Sequence, residues 1–192
     1  MMKNIQKYFD DLKGMFGNII ATDINGKVCR FDEAVSMSVH AIIEKASSGG
    51  KIIFIGNGAS ASIASHIATD FWKNADIRAM AFNDASALTC ISNDFGYEHV
   101  FEKPIEMFSD PDDILVSISS SGRSENIIRA VKAAITNKLK IITLSGFKQD
   151  NPLRQMGSFN FYVPSDSYGH VEITHHSICH CLIDMIIKEK NG

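Results

Sequence analysis

Ionisable side chains recur at four-residue spacing in two parts of the chain. His66 and Asp70 form one pair, and Glu172, His176 and His180 form a second set. Residues four apart lie on the same face of an α-helix, so each set points in one direction. Both sets lie among apolar residues, where histidine and carboxylate side chains are uncommon unless they have a partner or a function. The spacing therefore predicts acid–base or metal-binding chemistry.

Four of these side chains could converge if the two helices pack together: His66, Asp70, Glu172 and His180. Nitrogen and oxygen donors of this kind can hold a metal ion, and the same groups can act as general acid and base. A single buried histidine can also be a hydrogen-bonded core residue, an interpretation that stays open for His175 and His176. We expect the pairs together to form an active site.

Two turns that could bind an anion each follow an apolar run of strand length. The run at residues 52–55 leads into Gly-Asn-Gly-Ala-Ser at residues 56–60, and the run at residues 114–118 leads into Ser-Ser-Ser-Gly-Arg-Ser at residues 119–124. A helical pattern follows each turn, so backbone N–H groups and the positive end of a helix dipole point at the turn. Parallel strands place both turns at the same sheet edge. The pair of turns predicts a ligand that carries a phosphate group.

Alternating strand and helix patterns are needed to position these residues. Strands are predicted at residues 52–55, 77–82, 114–118, 140–144 and 159–163. Helices are predicted at residues 3–20, 32–47, 86–91, 125–136, 151–155 and 171–188, and one more follows the first turn. Strands separated by helical patterns indicate parallel βαβ units. The chain is therefore expected to form one α/β domain over residues 1–192, a three-layer α/β/α sandwich preceded by two helices.

Several residues indicate where helices begin and where the chain turns. Asp32 is a candidate N-cap for the second helix, and Ser60 or Ser62 for the helix after the first turn. Asn25-Gly26 predicts a turn, as do residues 92–96. These signals define the expected element boundaries.

Two amphipathic helices come before the first buried strand, within residues 1–50. Each needs a surface to cover its apolar face. They could pack on the protein's own sheet, but we expect them instead to bury part of a neighbouring subunit and so to contribute to oligomer contacts.

The composition is that of an ordinary globular protein. Of the 192 residues, 45% are hydrophobic and 21% are charged, and the net charge of −3 gives no reason to expect a nucleic-acid partner. No apolar run is long enough to cross a membrane, and the N-terminus lacks the apolar core of a signal peptide, so a cytoplasmic protein is expected. Four cysteines without Cys-x-x-Cys spacing are expected to be buried free thiols: Cys29, Cys90, Cys179 and Cys181.

The motifs together resemble those of the phosphoheptose isomerases, enzymes with a sugar isomerase (SIS) domain, over nearly the whole chain. In chain order they are Gly56-Asn-Gly-Ala-Ser60, His66-x-x-x-Asp70, Asn93-Asp-Phe-Gly96, Ser119-Ser-Ser-Gly-x-Ser124 and Glu172-x-x-His-x-x-x-x-His180. The resemblance implies interconversion of sedoheptulose 7-phosphate and D-glycero-D-manno-heptose 7-phosphate. It also implies a flavodoxin-like fold with a five-stranded parallel sheet, and a homotetramer with active sites between subunits.

The resemblance also implies roles for individual residues. Positions matching substrate-binding residues are Asn57, Gly58, Ser60, Asn93, Asp94, Ser119, Ser120, Ser121, Ser124 and Glu172, with the serine turn on the sugar phosphate. Some members of the family bind zinc, and the matching positions are His66, Asp70, Glu172 and His180. Catalytic roles are implied for Asp70, Glu172 and His180.

Three departures from the family pattern affect the chemistry. Asp70 stands where the family has Glu, Glu172 stands where it has Gln, and Tyr168-Gly169-His170 replaces the usual Asp-Arg before the Gln. Aldose–ketose isomerisation through an enediol needs a carboxylate base, and either Asp70 or Glu172 could serve. His180 could be the acid or a metal ligand, but a metal-bound histidine cannot donate the proton of its ligating nitrogen.

Two other functions are compatible with these residues. A non-catalytic SIS module could sense a sugar phosphate or bind a protein partner, although the retained histidine pairs favour an enzyme. The changes around residues 169–173 could instead select a different phosphosugar for the same isomerisation.

Overall fold

A seven-stranded sheet with helices on both faces forms the body of the computed structural model, which describes residues 2–191. The strands are β1 (Ile20–Asp23), β2 (Val28–Cys29), β3 (Ile52–Gly56), β4 (Ala79–Ala81), β5 (Ile114–Ser119), β6 (Lys140–Ser145) and β7 (Phe159–Tyr162). The helices are α1 (Met2–Asn18), α2 (Phe31–Ser47), α3 (Ala59–Asn74), α4 (Ala85–Phe95), α5 (Glu102–Phe108), α6 (Glu125–Thr136) and α7 (Tyr168–Asn191). Two short 3₁₀ helices cover Tyr97–His99 and Pro152–Gln155.

The sheet combines a parallel body with an antiparallel edge. Its strand order is β2-β1-β7-β6-β5-β3-β4, and the five strands from β7 to β4 pair in parallel. These are the five predicted strands. At the other edge, β1 pairs antiparallel with β7, and β2 pairs antiparallel with β1. The α/β fold class is confirmed, with two more strands than the resemblance implied.

Alternate residues of the central strands point to opposite faces of the sheet and belong to two separate hydrophobic cores. In β3, Ile52 and Phe54 pack with α2, α3 and α7, whereas Ile53 and Ile55 pack with α5 and α6 on the other face. All residues of β3 and β5 are buried. A strand covered on both faces reads as a continuous apolar run, which is why these two were recognisable in the sequence. The result is the expected three-layer sandwich.

The prediction of a helix over residues 3–20 was wrong for the C-terminal end of the helix. The helix ends at Asn18, and the chain then forms the β1–β2 hairpin, whose turn contains the predicted Asn25-Gly26. Asp23 holds this turn, because its Oδ1 accepts hydrogen bonds from the backbone N–H groups of Asn25 and Lys27, both at 2.9 Å. Pairing with the free edge of β7 therefore overrides the helical pattern at residues 19 and 20.

The predicted helix starts also need correction. The N-cap position of α2 is Arg30, and Asp32 lies in the first turn, where it pairs with the Arg30 guanidinium at 2.6 Å. The N-cap position of α3 is Gly58, with φ +56°, rather than Ser60 or Ser62. A glycine with left-handed backbone begins α3 immediately after β3, leaving no room for a serine cap.

Further differences concern the turn at residues 92–96, the final helix and the cysteines. Residues 92–95 belong to α4, which ends at Phe95 with Gly96 as its C-cap, and α7 begins at Tyr168 instead of residue 171. All four cysteines are free, but only Cys179 is buried, and Cys90 is exposed. Of the helices within residues 2–191, none combines the length and hydropathy of a membrane-spanning segment.

The junction between β3 and α3 leaves no space for a side chain at Gly56. A Cβ atom there would lie 2.7 Å from the backbone carbonyl carbon and oxygen of Ser60. Contacts this short do not occur in folded proteins, so the strand end and the first helical turn can approach only because residue 56 is glycine. This approach places Asn57 and Ser60 beside the ends of the strands.

We expect Gly56→Ala to destabilise the fold by about 1–3 kcal/mol, because the added methyl group must push the first turn of α3 away from β3. Gly14→Ala is the matched control, since a Cβ at Gly14 meets nothing within 4 Å. In a helix interior this control should raise stability by about 0.5–1 kcal/mol. Urea unfolding at one fixed protein concentration measures both. Equal stability of the two variants would contradict the close-packed junction.

Candidate functional site

The two predicted turns meet at the carboxyl ends of β3 and β5, which are neighbouring parallel strands. Between them lies a cavity of about 140 Å³. Its lining consists of Asn57, Ser60, Ile118, Ser119, Ser120, Ser121, Ser124, Tyr168 and Glu172. Five of the nine lining side chains are serines, so the cavity offers many hydroxyl groups to an anion. The structure thus brings the first turn, the serine turn and the start of α7 together.

All four serines of the serine turn line this cavity. Ser119 Oγ accepts a hydrogen bond from the backbone N–H of Gly122 at 3.1 Å, which tightens the turn. Ser124 occupies the N-cap position of α6, yet its side chain caps no N–H group in the described chain. Arg123 points elsewhere, because its guanidinium binds the Asp150 carboxylate at 2.8 Å. The hydroxyl of Ser124 is therefore available for a ligand at the positive end of α6.

Asn151 packs against Gly122 of the serine turn, a role that was not predicted from the sequence. Gly122 has φ +61°, and a Cβ there would collide with the Asn151 side chain. Asn151 is fully buried, donates to the Lys148 carbonyl at 2.8 Å and accepts from the backbone N–H of Arg154 at 3.1 Å. The short segment after β6 therefore fixes the conformation of the turn. Only the glycine in the turn hinted at such a close neighbour.

A reciprocal amide pair fixes Asn57 in the first turn. Asn57 Nδ2 donates to Asn126 Oδ1 at 3.0 Å, and Asn126 Nδ2 donates to Asn57 Oδ1 at 2.8 Å. The Tyr97 hydroxyl donates to Asn57 Oδ1 at 3.1 Å. Sequence reasoning missed Asn126 and Tyr97, since neither position shows a periodic pattern that points at Asn57. Together they join the first turn to the beginning of α6.

The packing of α3 against α7 brings together three of the predicted ionisable residues. His66 Nε2 lies 3.3 Å from Asp70 Oδ2, and His180 Nδ1 lies 4.0 Å from the same oxygen. Asp70 is mostly buried, with 15% of its side chain exposed, whereas about half of His66 is exposed. A carboxylate between two imidazoles can orient them, exchange protons with them, or bind a metal ion with them.

His176 is a third histidine in this cluster. The imidazole nitrogens of His66, His176 and His180 include one from each ring that all lie within 4.8 Å of one another. Burial lowers the pKa of His176, and the neighbouring His180 and His66 add to the effect while Asp70 opposes it. His176 shares the predicted stripe with His180, but no role for it was predicted.

The other predicted residues are placed differently. Glu172 lines the cavity with the serines, and His175 is buried with its Nε2 hydrogen-bonded to the Ser145 carbonyl at 3.1 Å. Burial lowers the pKa of His175 to about 4, so it is a neutral core histidine. Asn93 and Asp94 are exposed at the end of α4, where Asn93 Nδ2 donates to Asp94 Oδ1 at 2.9 Å. Neither belongs to the cavity lining.

The donor set around Asp70 fits a zinc ion. Three imidazoles and a carboxylate are ligands that zinc commonly takes in proteins. In the part of the chain that the structure describes, His176 Nε2 is buried and has no hydrogen-bond partner. A buried imidazole nitrogen of this kind needs a hydrogen-bond partner or a cation next to it.

Comparison with known proteins agrees with this architecture. A SIS domain family model matches residues 21–146. The phosphoheptose isomerase of Helicobacter pylori (strain ATCC 700392 / 26695) is 36% identical over 160 residues, which cover 80% of this chain and 83% of that protein. The phosphoheptose isomerase of Shewanella sediminis is 33% identical over 187 residues, covering 91% of this chain and 92% of its own.

Two solved structures share the fold over nearly their full length. The phosphoheptose isomerase of Neisseria gonorrhoeae has a TM-score of 0.84 and 28% sequence identity, covering 96% of this chain and 97% of its own. That of Francisella tularensis has a TM-score of 0.85 at 28% identity, with 97% and 98% covered. From the identity, the coverage and the shared fold, we conclude that the chain belongs to the phosphoheptose isomerase family of SIS-domain proteins.

Proposed function

We propose that the protein is an aldose–ketose isomerase that interconverts sedoheptulose 7-phosphate and D-glycero-D-manno-heptose 7-phosphate. The observation that carries the proposal is the serine-lined cavity, which also contains the carboxylate of Glu172. A phosphate anchor and a potential base therefore share one small space. Membership of the phosphoheptose isomerase family supports the same substrate.

The phosphate end of the substrate fits the serine turn. The hydroxyls of Ser121 and Ser124 and the N-terminus of the twelve-residue helix α6 face the same cavity. Hydroxyl donors and a positive helix end stabilise a phosphate without requiring a charged side chain. Since Arg123 is already paired with Asp150, recognition here rests on hydroxyl and backbone groups.

The isomerisation moves a proton between two neighbouring carbon atoms. A base removes the proton from the carbon beside the carbonyl, an enediol forms, and the proton returns to the other carbon, while an acid moves the hydroxyl proton. Glu172 and Asp70 are the candidate bases, and His180 is the candidate acid. Glu172 lines the cavity itself, whereas Asp70 lies beside His66 and His180.

A zinc ion would be held by His66, Asp70 and His180, the residues that α3 and α7 bring together. When bound, zinc supplies Lewis-acid polarisation of a sugar oxygen. Under this arrangement His180 serves as a ligand through one nitrogen, and the other nitrogen remains for hydrogen bonding. Asp70 would then be a ligand that also orients His66.

We also propose that the protein assembles as a homotetramer with active sites between subunits. None of the residues of α1 is buried, and its apolar side chains Ile5, Phe9 and Phe16 are 51%, 59% and 44% exposed. An apolar groove of about 520 Å³ lies between α2 and α7. Unpaired apolar surface of this extent on a helix is typical of an oligomer interface. A second copy of the chain is the partner that covers it.

Replacing both Ser121 and Ser124 by Ala should weaken binding of sedoheptulose 7-phosphate by more than about a hundredfold, since hydrogen bonds to a charged group contribute roughly 1.5–3 kcal/mol each. Titration calorimetry measures the affinity. Ser47→Ala, at the exposed end of α2, is the control and should bind normally. Wild-type affinity in the double variant would exclude the serine turn as the phosphate site.

Asp70→Asn and His180→Ala should each abolish most turnover of sedoheptulose 7-phosphate while leaving circular dichroism unchanged. The double variant should lose no more than the worse single variant, because groups that act as one unit fail together. Asp76→Asn, in the exposed loop after α3, is the control. Aldose formation by the pure protein is the assay. If the wild type shows no turnover with or without zinc, and both variants still bind the phosphosugar, the protein is a sensing module and not an isomerase.

Light scattering at low micromolar concentration should give the mass of four chains of 21.2 kDa. Phe9→Glu should lower that mass, because a charge on the apolar face of α1 cannot be buried without a partner. Asn4→Glu, an exposed polar position on the same helix, should leave it unchanged. A monomer mass for the wild type would rule out active sites shared between subunits.

A further inference from the structure

We propose that His176 is a metal ligand, so that zinc is held by His66, His176 and His180 with Asp70, and Glu172 remains free to face the phosphosugar. This inference rests on the proposed function for the role of Glu172, but the metal site itself does not depend on it. In this ligand set His176 replaces Glu172, which lies one helical turn earlier on α7, and His180 remains a ligand.

The distances between the three histidines suit a common ion. One ring nitrogen from each of His66, His176 and His180 lies within 4.8 Å of the others. Two nitrogens on one tetrahedral zinc ion, with Zn–N bonds of about 2.0–2.1 Å, lie roughly 3.3 Å apart. Small rotations of the side chains close that difference. The rings already adjoin, with centroids 5.3 Å apart for His66–His176 and 4.7 Å for His176–His180.

His176 Nε2 lacks the partner that a core histidine would have. Among residues 2–191 no hydrogen-bond partner reaches this buried atom. The neighbouring His175 differs in having one hydrogen bond, from Nε2 to the Ser145 carbonyl, although its buried Nδ1 also has no partner among the described residues. A buried polar atom without a partner is costly, and coordination of a metal ion through Nε2 would satisfy it.

Glu172 lies with the substrate cavity rather than with the histidines. It lines the cavity together with Asn57 and the serines. One turn of α-helix, about 6 Å of rise for four residues, separates it from His176. A carboxylate in that position can act as a base on the sugar, which favours Glu172 over Asp70 for that role.

Zinc affinity of the purified protein, measured by calorimetry and by metal content after dialysis, tests the ligand set. We expect one zinc ion per chain in the wild type. His176→Ala should weaken zinc binding by more than the roughly 10–100-fold typical for loss of an outer-shell partner. Glu172→Ala, which removes any ligating oxygen at this position, should bind zinc as the wild type does, and so should His40→Ala, which removes an exposed histidine of α2.

Cobalt absorption and a rescue variant separate ligation from structure. With Co²⁺, the wild type should show the intense visible bands of a tetrahedral site, and His176→Ala should lose them. His176→Cys should restore tight metal binding, because a thiolate can replace an imidazole as ligand. Should His176→Ala fail to fold, the Cys variant with its sulfur-to-cobalt charge-transfer band decides the question, and a folded Cys variant without that band overturns the proposal.

Other results of the zinc-binding measurements would contradict the proposed ligand set. If Glu172→Ala loses zinc while His176→Ala retains it, Glu172 is the ligand and the proposal is wrong. Failure of the wild type to bind zinc would also overturn it. Failure of the isomerase function is a separate outcome, recognised when zinc binds as described but no phosphosugar is converted.

Discussion

The pairing of β3 with β5 is the constraint on which the rest of the site depends. Their parallel register places Gly56 opposite Ile118, so the residues that follow each strand leave the sheet side by side. Every residue of both strands is buried, which makes a shift of register costly because it would turn apolar side chains out of both cores. The serine turn and the first turn are therefore neighbours by backbone geometry alone.

Polar contacts outside the strands then give the two turns their shape. The amide pair between Asn57 and Asn126 links the first turn to α6, and Asn151 fills the space that Gly122 leaves open. Asn126 and Asn151 are buried and hydrogen-bonded, so losing either partner would leave a polar group unsatisfied. These contacts hold the two turns in place independently of a ligand, and such preorganisation reduces the entropy lost on binding.

Sequence patterns predicted the elements well and the contacts between them less well. Apolar runs identified all five parallel strands, most clearly β3 and β5, in which every residue is buried. The hairpin of β1 and β2 was missed, since its strands are short and depend on pairing with β7. Asn126, Tyr97 and Asn151 were missed as well. Each contacts a residue that is distant in the sequence, and the sequence around it contains no pattern that indicates this contact.

His175 and His176 make different contacts because the side chains of successive residues on a helix point in different directions. Neighbours on α7 are turned by about 100° from one another, so one of the two faces the sheet and the other faces α3. His175 takes the sheet direction and binds the Ser145 carbonyl at the end of β6. His176 takes the direction of Glu172 and His180, towards His66. The stripe at residues 172, 176 and 180 thus spans from the serine-lined cavity to the histidine cluster.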